Sequence, residues 1–139
     1  MMKSIAAGTA ALSYTLTVFY FSFVSAGTLQ IYYKWAGIES DNLLHVFSFV
    51  LLPFLIRLMF STKLFKAVIQ NPRAWSVTIA VFLSVILEML QAAMPTRHAA
   101  VLDLSLHSAG ILLFLACDVG FEKLQKQLIP SEKVDGTDA

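Results

Sequence analysis

Four apolar stretches separated by short polar breaks run along the chain: one within Ile5 to Tyr33, then about Leu43 to Phe60, about Trp75 to Met94, and about Val101 to Phe121. Each is close to the ~20 residues that a helix needs to cross a hydrocarbon core of roughly 30 Å, so the pattern predicts four transmembrane helices. The first stretch exceeds that length and must tilt or begin late. Pro72 and Pro95 flank the third, where a missing N–H costs least, whereas Pro53 falls inside the second and predicts a kink. Tyr32, Tyr33 and Trp35 close the first stretch and Trp75 opens the third, as expected of interfacial aromatic anchors. From about Pro130 the chain turns polar and rich in Asp, Lys and Gly, which predicts a disordered tail.

Composition agrees with this pattern. At 58% hydrophobic and 14% charged over 139 residues, the chain is too apolar for a soluble domain of its size. The expected class is therefore all-α: a polytopic four-transmembrane-helix bundle surrounded by membrane lipids. Its organisation reads as a first anchor over 1–34, a three-helix membrane domain over 35–121 and a polar tail over 122–139. A net charge of +1 gives no reason to expect a nucleic-acid partner. Cys117 is the single cysteine, so neither an internal disulfide nor a thiolate metal site is indicated, and it reads as a helix-packing residue.

Charge placement sets the expected orientation. Lys3 precedes the first span, Arg57, Lys63, Lys66 and Arg73 end the second or lie between it and the third, and Lys123, Lys126 and Lys133 follow the fourth. Only Lys34 and Arg97 fall on the other side, so eight of the ten basic residues share one face. The positive-inside rule then makes both termini and the 61–73 loop cytoplasmic. Topology and contact with anionic headgroups account for those eight side chains. Lys3, the apolar run and Val24-Ser25-Ala26 also fit a secretory signal with a cleavage site, but the run is longer than a signal core and a retained anchor is expected. Cleavage would leave three spans in the same orientation.

The candidate chemistry lies on the other side. Ionisable groups at membrane depth are costly unless paired, wetted or used. At 1.5 Å of rise per residue, Asp41 falls at the interface and His45 roughly 5 Å below it, on one face of the second helix. The third helix carries Glu88 to about 10 Å below the outer boundary, with Gln91 one turn higher on the same face. In the fourth, Asp103 is near the interface and His107 roughly 9 Å down. Arg97 caps the region from the connection between the third and fourth spans. Taken singly, each residue has a plainer role. Glu88 could neutralise Arg97 or accept an interhelical hydrogen bond, Asp41 and Asp103 could complement helix N-termini, either histidine could be a packing residue, and Gln91 could be interhelical glue. Gly110 reads as a close-packing position. Seven polar residues converging at one depth favour a functional site.

The same residues resemble a known family. Glu88-x-x-Gln91, then Pro95-Thr96-Arg97, Asp103 six residues later and Gly110 seven beyond that, preceded by Asp41-x-x-x-His45-x-Phe47, look like the signature of the VanZ-like membrane proteins over about 41–115. The family pattern has Lys at the position of Asn42, a small hydroxyl residue at that of Ala100 and Asn at that of His107. The resemblance implies a small helical protein of the bacterial cytoplasmic (inner) membrane. The family's named member is associated with low-level resistance to the lipoglycopeptide teicoplanin, and related domains occur near genes of envelope synthesis.

Two mechanisms fit the cluster. In the first it binds a ligand: Arg97 offers a planar donor fork to a phosphate or carboxylate at the outer leaflet, while Gln91, His45 and His107 orient the remainder. A lipid-linked envelope intermediate has the anionic headgroup and the chain for such a site, and the resemblance adds a glycopeptide-related ligand. In the second the cluster is an intramembrane enzyme on such an intermediate. His45 or His107 would then be the acid or base, oriented by Glu88, Asp41 or Asp103, with Arg97 stabilising charge. Binding ranks first, because no recognisable nucleophile stands among these residues. A structural or assembly role is the third reading. No cofactor is expected, and no metal, since two histidines and several carboxylates spread over three helices form no compact ligand motif.

Overall fold

The computed structural model describes residues 2–23, 34–35, 38–93 and 101–128. Its elements are α1 (Met2–Phe23), β1 (Lys34–Trp35), β2 (Ile38–Glu39), α2 (Ser40–Phe60), α3 (Lys63–Lys66), α4 (Pro72–Ala92) and α5 (Val101–Leu128). The two strands are two residues each and pair antiparallel, Lys34 with Glu39 and Trp35 with Ile38. The remaining regular structure among the described residues is helical. Four helices are long and apolar enough to cross a membrane: Ile5–Ser22, Asn42–Phe60, Pro72–Ala92 and Val101–Gln125. The chain is an all-α multi-pass membrane protein.

Local chemistry explains where the helices begin and end. The Asn71 side chain accepts a hydrogen bond from the Ala74 N–H at 3.1 Å and Pro72 follows at the first helical position, so α4 starts with a satisfied cap and a preset φ. Helix α2 runs on through Pro53, whose ring is buried. Two boundaries differ from the sequence expectation. Helix α1 already begins at Met2, so it does not begin late. Helix α5 continues past Phe121 to Leu128, placing the first seven residues of the expected tail in a helix. Glu122, Lys123 and Gln125 favour helix, and polarity alone does not stop a helix that a neighbouring bundle supports. Tyr32, Tyr33 and the Val24-Ser25-Ala26 sequence lie outside the described residues.

Helix α2 is central and packs against α5, α4 and α1. Phe49, Leu52, Ile56 and Phe60 of α2 meet Ala80 and Leu87 of α4, Ile111 of α5 and Val18 of α1 in the core. Leu16, Phe47, Phe82 and Leu112 point outward with more than half their surface exposed, while Ser76, Ser84 and His107 are buried. A domain in water could not expose so much apolar surface, but a bundle in lipid does so by default. Hydroxyls on the helices donate back to carbonyls of their own preceding turn, among them Thr15 to Ala11, Ser22 to Val18, Ser105 to Val101 and Ser108 to Leu104. Each therefore brings no unpaired donor into the hydrocarbon.

Close helix contact depends on small residues. Ser76, Ala80 and Ser84 form one buried face of α4. On α5, a Cβ at Gly110 would overlap the backbone carbonyl oxygen of Val46 and stand 3.0 Å from the Cβ of Phe49. Only glycine fits that crossing of α2 and α5.

At one end of the bundle, Asp118 accepts from two arginines: Arg57 Nη1 at 2.5 Å on one oxygen and Arg73 Nε at 2.5 Å on the other. Glu122 Oε1 joins them, 3.0 Å from Arg57 Nη2 and 2.5 Å from Arg73 Nη2. These four side chains tie α2, α4 and α5 together. Arg57 and Arg73 thus pair with acidic side chains of α5 while each stays about a quarter exposed, at 24% and 29%. Their partners on α5 stand far away in sequence and become neighbours only because α5 packs alongside α2 and α4.

Candidate functional site

A second polar layer sits toward the other end, displaced along α2 by the twelve residues from Arg57 back to His45, about 18 Å of helix. Its centre is a pair of imidazoles. His45 Nδ1 of α2 and His107 Nε2 of α5 lie 2.7 Å apart, one donating and the other accepting. The other nitrogen of His107, Nδ1, lies 3.0 Å from the Ser84 hydroxyl of α4. Three helices thus contribute one member each to a continuous hydrogen-bonded chain, Ser84, His107, His45.

Packing holds that chain in place. His107 is wholly buried, and its ring stacks on Phe49 at 3.9 Å between centroids with the planes 29° apart. Phe49 is one turn beyond His45 on α2, and Gly110 is one turn beyond His107 on α5. The glycine lets the backbones close until His107 spans from Phe49 to His45. Ser84 is small enough to let α4 approach from the other side.

Glu88 lies one turn from Ser84 on the same face of α4, with its side chain 12% exposed. Its Oε1 stands 3.8 Å from His107 Nδ1, beyond hydrogen-bonding distance, and that buried oxygen has no hydrogen-bond partner among the described residues. Asp103, partly buried in the first turn of α5, is near enough to act electrostatically on Glu88.

The seven residues expected from the sequence therefore separate. His45, His107 and Glu88 come together, and Asp103 adds charge beside Glu88. Gln91 is buried and donates from Nε2 to the carbonyl oxygen of Ser22 at 3.0 Å, joining α4 to α1. That is the interhelical role its residue type suggests. The backbone of Asp41 is in the first turn of α2. Arg97 lies outside the described residues. Among the described residues no group of three His, Cys, Asp or Glu side chains converges to hold a metal ion.

Sequence reasoning does not single out Ser84, although a serine four residues before Glu88 on the same helix face is a usable signal. Ser84 and His107 have the spacing of a nucleophile and its base, but Ser84 is 2% exposed and His107 not at all. As packed, the hydroxyl cannot meet a substrate. The arrangement holds a fixed, buried pair of imidazoles with the carboxyl group of Glu88 beside it.

No family model, no curated protein and no solved structure matches the chain.

Proposed function

We propose that this is a VanZ-like protein of the bacterial inner membrane whose polar site faces the cell envelope and binds an anionic, lipid-linked envelope intermediate. The observation that carries the reading is Glu88: a buried carboxylate oxygen without a hydrogen-bond partner among the described residues, beside a histidine pair already bonded to itself and to Ser84. An acceptor at membrane depth calls for a donor, and hydroxyl or amide groups of a glycan headgroup are donors of that kind. In the sequence Arg97 falls in the connection between α4 and α5, and in this reading its planar fork takes the phosphate. Lipid tails pass between apolar helices.

The protein extracted from native membranes should carry such a lipid into the mass spectrometer. Arg97→Lys keeps the charge and loses the fork, and losing one charge-assisted hydrogen bond of about 1.5 kcal/mol should reduce retention roughly tenfold at equal membrane abundance. Equal retention by the lysine variant would reduce Arg97 to a point charge or interface anchor. An enzyme on the same intermediate is the second reading, in which the paired His45 and His107 supply the general acid or base beside Glu88. It predicts turnover of the retained lipid during incubation, whereas a binding site returns it unchanged.

Orientation has its own test. With Cys117→Ser as background, a cysteine replacing His98 should react with a membrane-impermeant thiol reagent on intact cells, and one replacing Asn71 only after permeabilisation. The reverse pattern would turn the site to the cytoplasm and end the envelope reading.

A further inference from the structure

We infer that α2 is hinged at Pro53: its inner half stays fixed to α4 and α5, while its outer half, carrying His45, swings away from α5 and opens the buried polar layer. The hinge serves the site of the proposed function but rests on the geometry of α2, whatever the ligand is. As packed, that layer is closed. His107 is wholly buried, His45 and Ser84 are buried beside it, and α2 covers the His107 ring with His45 and Phe49. A ligand reaches the histidine pair after a helix moves.

Pro53 makes one turn of α2 weaker than the rest. Proline has no backbone N–H, so the carbonyl of Phe49, four residues earlier, loses its donor within the helix, and the pyrrolidine ring crowds that carbonyl instead. Sharp bends in helices concentrate at such positions. The direction of bending follows from where the ring points. Pro53 lies one turn from Phe49 and one turn from Arg57 on the same face of α2. Phe49 stacks on His107 of α5, and Arg57 pairs with Asp118 and Glu122 of α5, so the buried Pro53 ring between them faces α5 as well. Crowding on that side is relieved by opening that side. The outer half of α2 therefore tilts away from α5.

The inner half is the anchored one. Arg57 joins it to Asp118 and Glu122, which also hold Arg73 of α4, and hydrogen bonds between ionised groups are roughly twice as strong as neutral ones. The outer half meets α5 through His107, which bonds to His45 and stacks on Phe49, and it meets α1 where the Tyr14 hydroxyl reaches the Ser48 carbonyl at 3.5 Å. Gly110 lies against Val46 and Phe49 without a side chain, so no interlocked knob has to be withdrawn when the two helices part.

The lever is long enough to matter. His45 stands eight residues from Pro53, about 12 Å along the helix. A bend of about 20° at the proline carries it about 4 Å sideways. Added to the 2.7 Å that now separates His45 Nδ1 from His107 Nε2, that displacement ends their hydrogen bond and uncovers the His107 ring. Ser84 and Glu88 belong to α4 and stay in place, so the opened layer presents the carboxyl group and the imidazole together.

Distances between spin labels in nanodiscs test the hinge on the full chain with Cys117→Ser. Labels on Leu44→Cys and Leu102→Cys report the outer ends of α2 and α5, and labels on Leu58→Cys and Phe121→Cys the inner ends; all four positions are exposed. The outer pair should show two distances about 4 Å apart, and the inner pair one. Pro53→Ala returns the missing N–H, so the population at the longer outer distance should fall roughly tenfold, the worth of one net backbone hydrogen bond. With nitrogen-15 histidine, the coupling between His107 Nε2 and His45 Nδ1 across their hydrogen bond marks the closed form and should strengthen in the same variant. A single outer distance in the wild type overturns the hinge without any proline variant, and so does a longer distance that Pro53→Ala leaves equally populated. Lipid retention is read separately: two outer distances in a protein that retains no lipid remove the proposed ligand and leave the hinge standing.

Discussion

Replacing Gly110 with alanine should force α2 and α5 apart and break the contact between His45 and His107. Two effects oppose each other in this substitution. Alanine is the better helix former by about 1 kcal/mol, which would stabilise α5. Against that, its methyl group would overlap the Val46 carbonyl oxygen and press on Phe49 Cβ. The atom in the way is backbone, so no rotamer change relieves the overlap, and overpacking of this kind costs about 1–3 kcal/mol, occasionally more. The repulsion wins. The variant should lose thermal stability in a fixed detergent or nanodisc, and the nitrogen coupling between the two imidazoles should weaken or vanish. A more stable Gly110→Ala with the coupling intact would mean that α2 and α5 do not approach this closely.

Asp118→Asn should be the most damaging single change at the opposite end. The side chain is 5% exposed and meets both Arg57 and Arg73. Asparagine keeps the shape, can accept on only one side, and leaves two arginines sharing Glu122 alone. Removing one partner of a buried ionic group typically costs about 3–5 kcal/mol. The arginines are 24% and 29% exposed, so solvent recovers part of that, and a loss of about 3 kcal/mol is expected. Unfolding should show the loss at both low and high salt. Stability equal to wild type would return Arg57 and Arg73 to the headgroup role that their position in the sequence suggests.

These two residues also show how far the molecule is legible from its sequence. Gly110 stands out there as a close-packing position and as part of the VanZ-like pattern, but its partners cannot be named. They lie on α2, roughly sixty residues away. Asp118 says less, since its carboxyl group alone names no partner. It sits in the fourth apolar stretch near its polar end, where an acidic residue can face headgroups as readily as a neighbour, and only the packing of α5 on α2 and α4 chooses between them. Gln91 goes the other way, since an amide on a buried helix face has few uses besides joining helices, and it bonds to the Ser22 carbonyl.

The apolar runs by themselves determined the membrane class, the four spanning helices and the helical fold, because a backbone in hydrocarbon must satisfy its hydrogen bonds within each segment. Helical rise by itself also placed His45, Glu88 and His107 in one layer. Depth is a one-dimensional quantity that counting residues can supply. Rotation of each helix about its axis, and the distance between helix backbones, are set by which side chains interlock. Those interlocking contacts turned a layer of separate polar residues into a bonded Ser84–His107–His45 chain with Glu88 beside it, directed Gln91 to α1, and drew two arginines inward to Asp118.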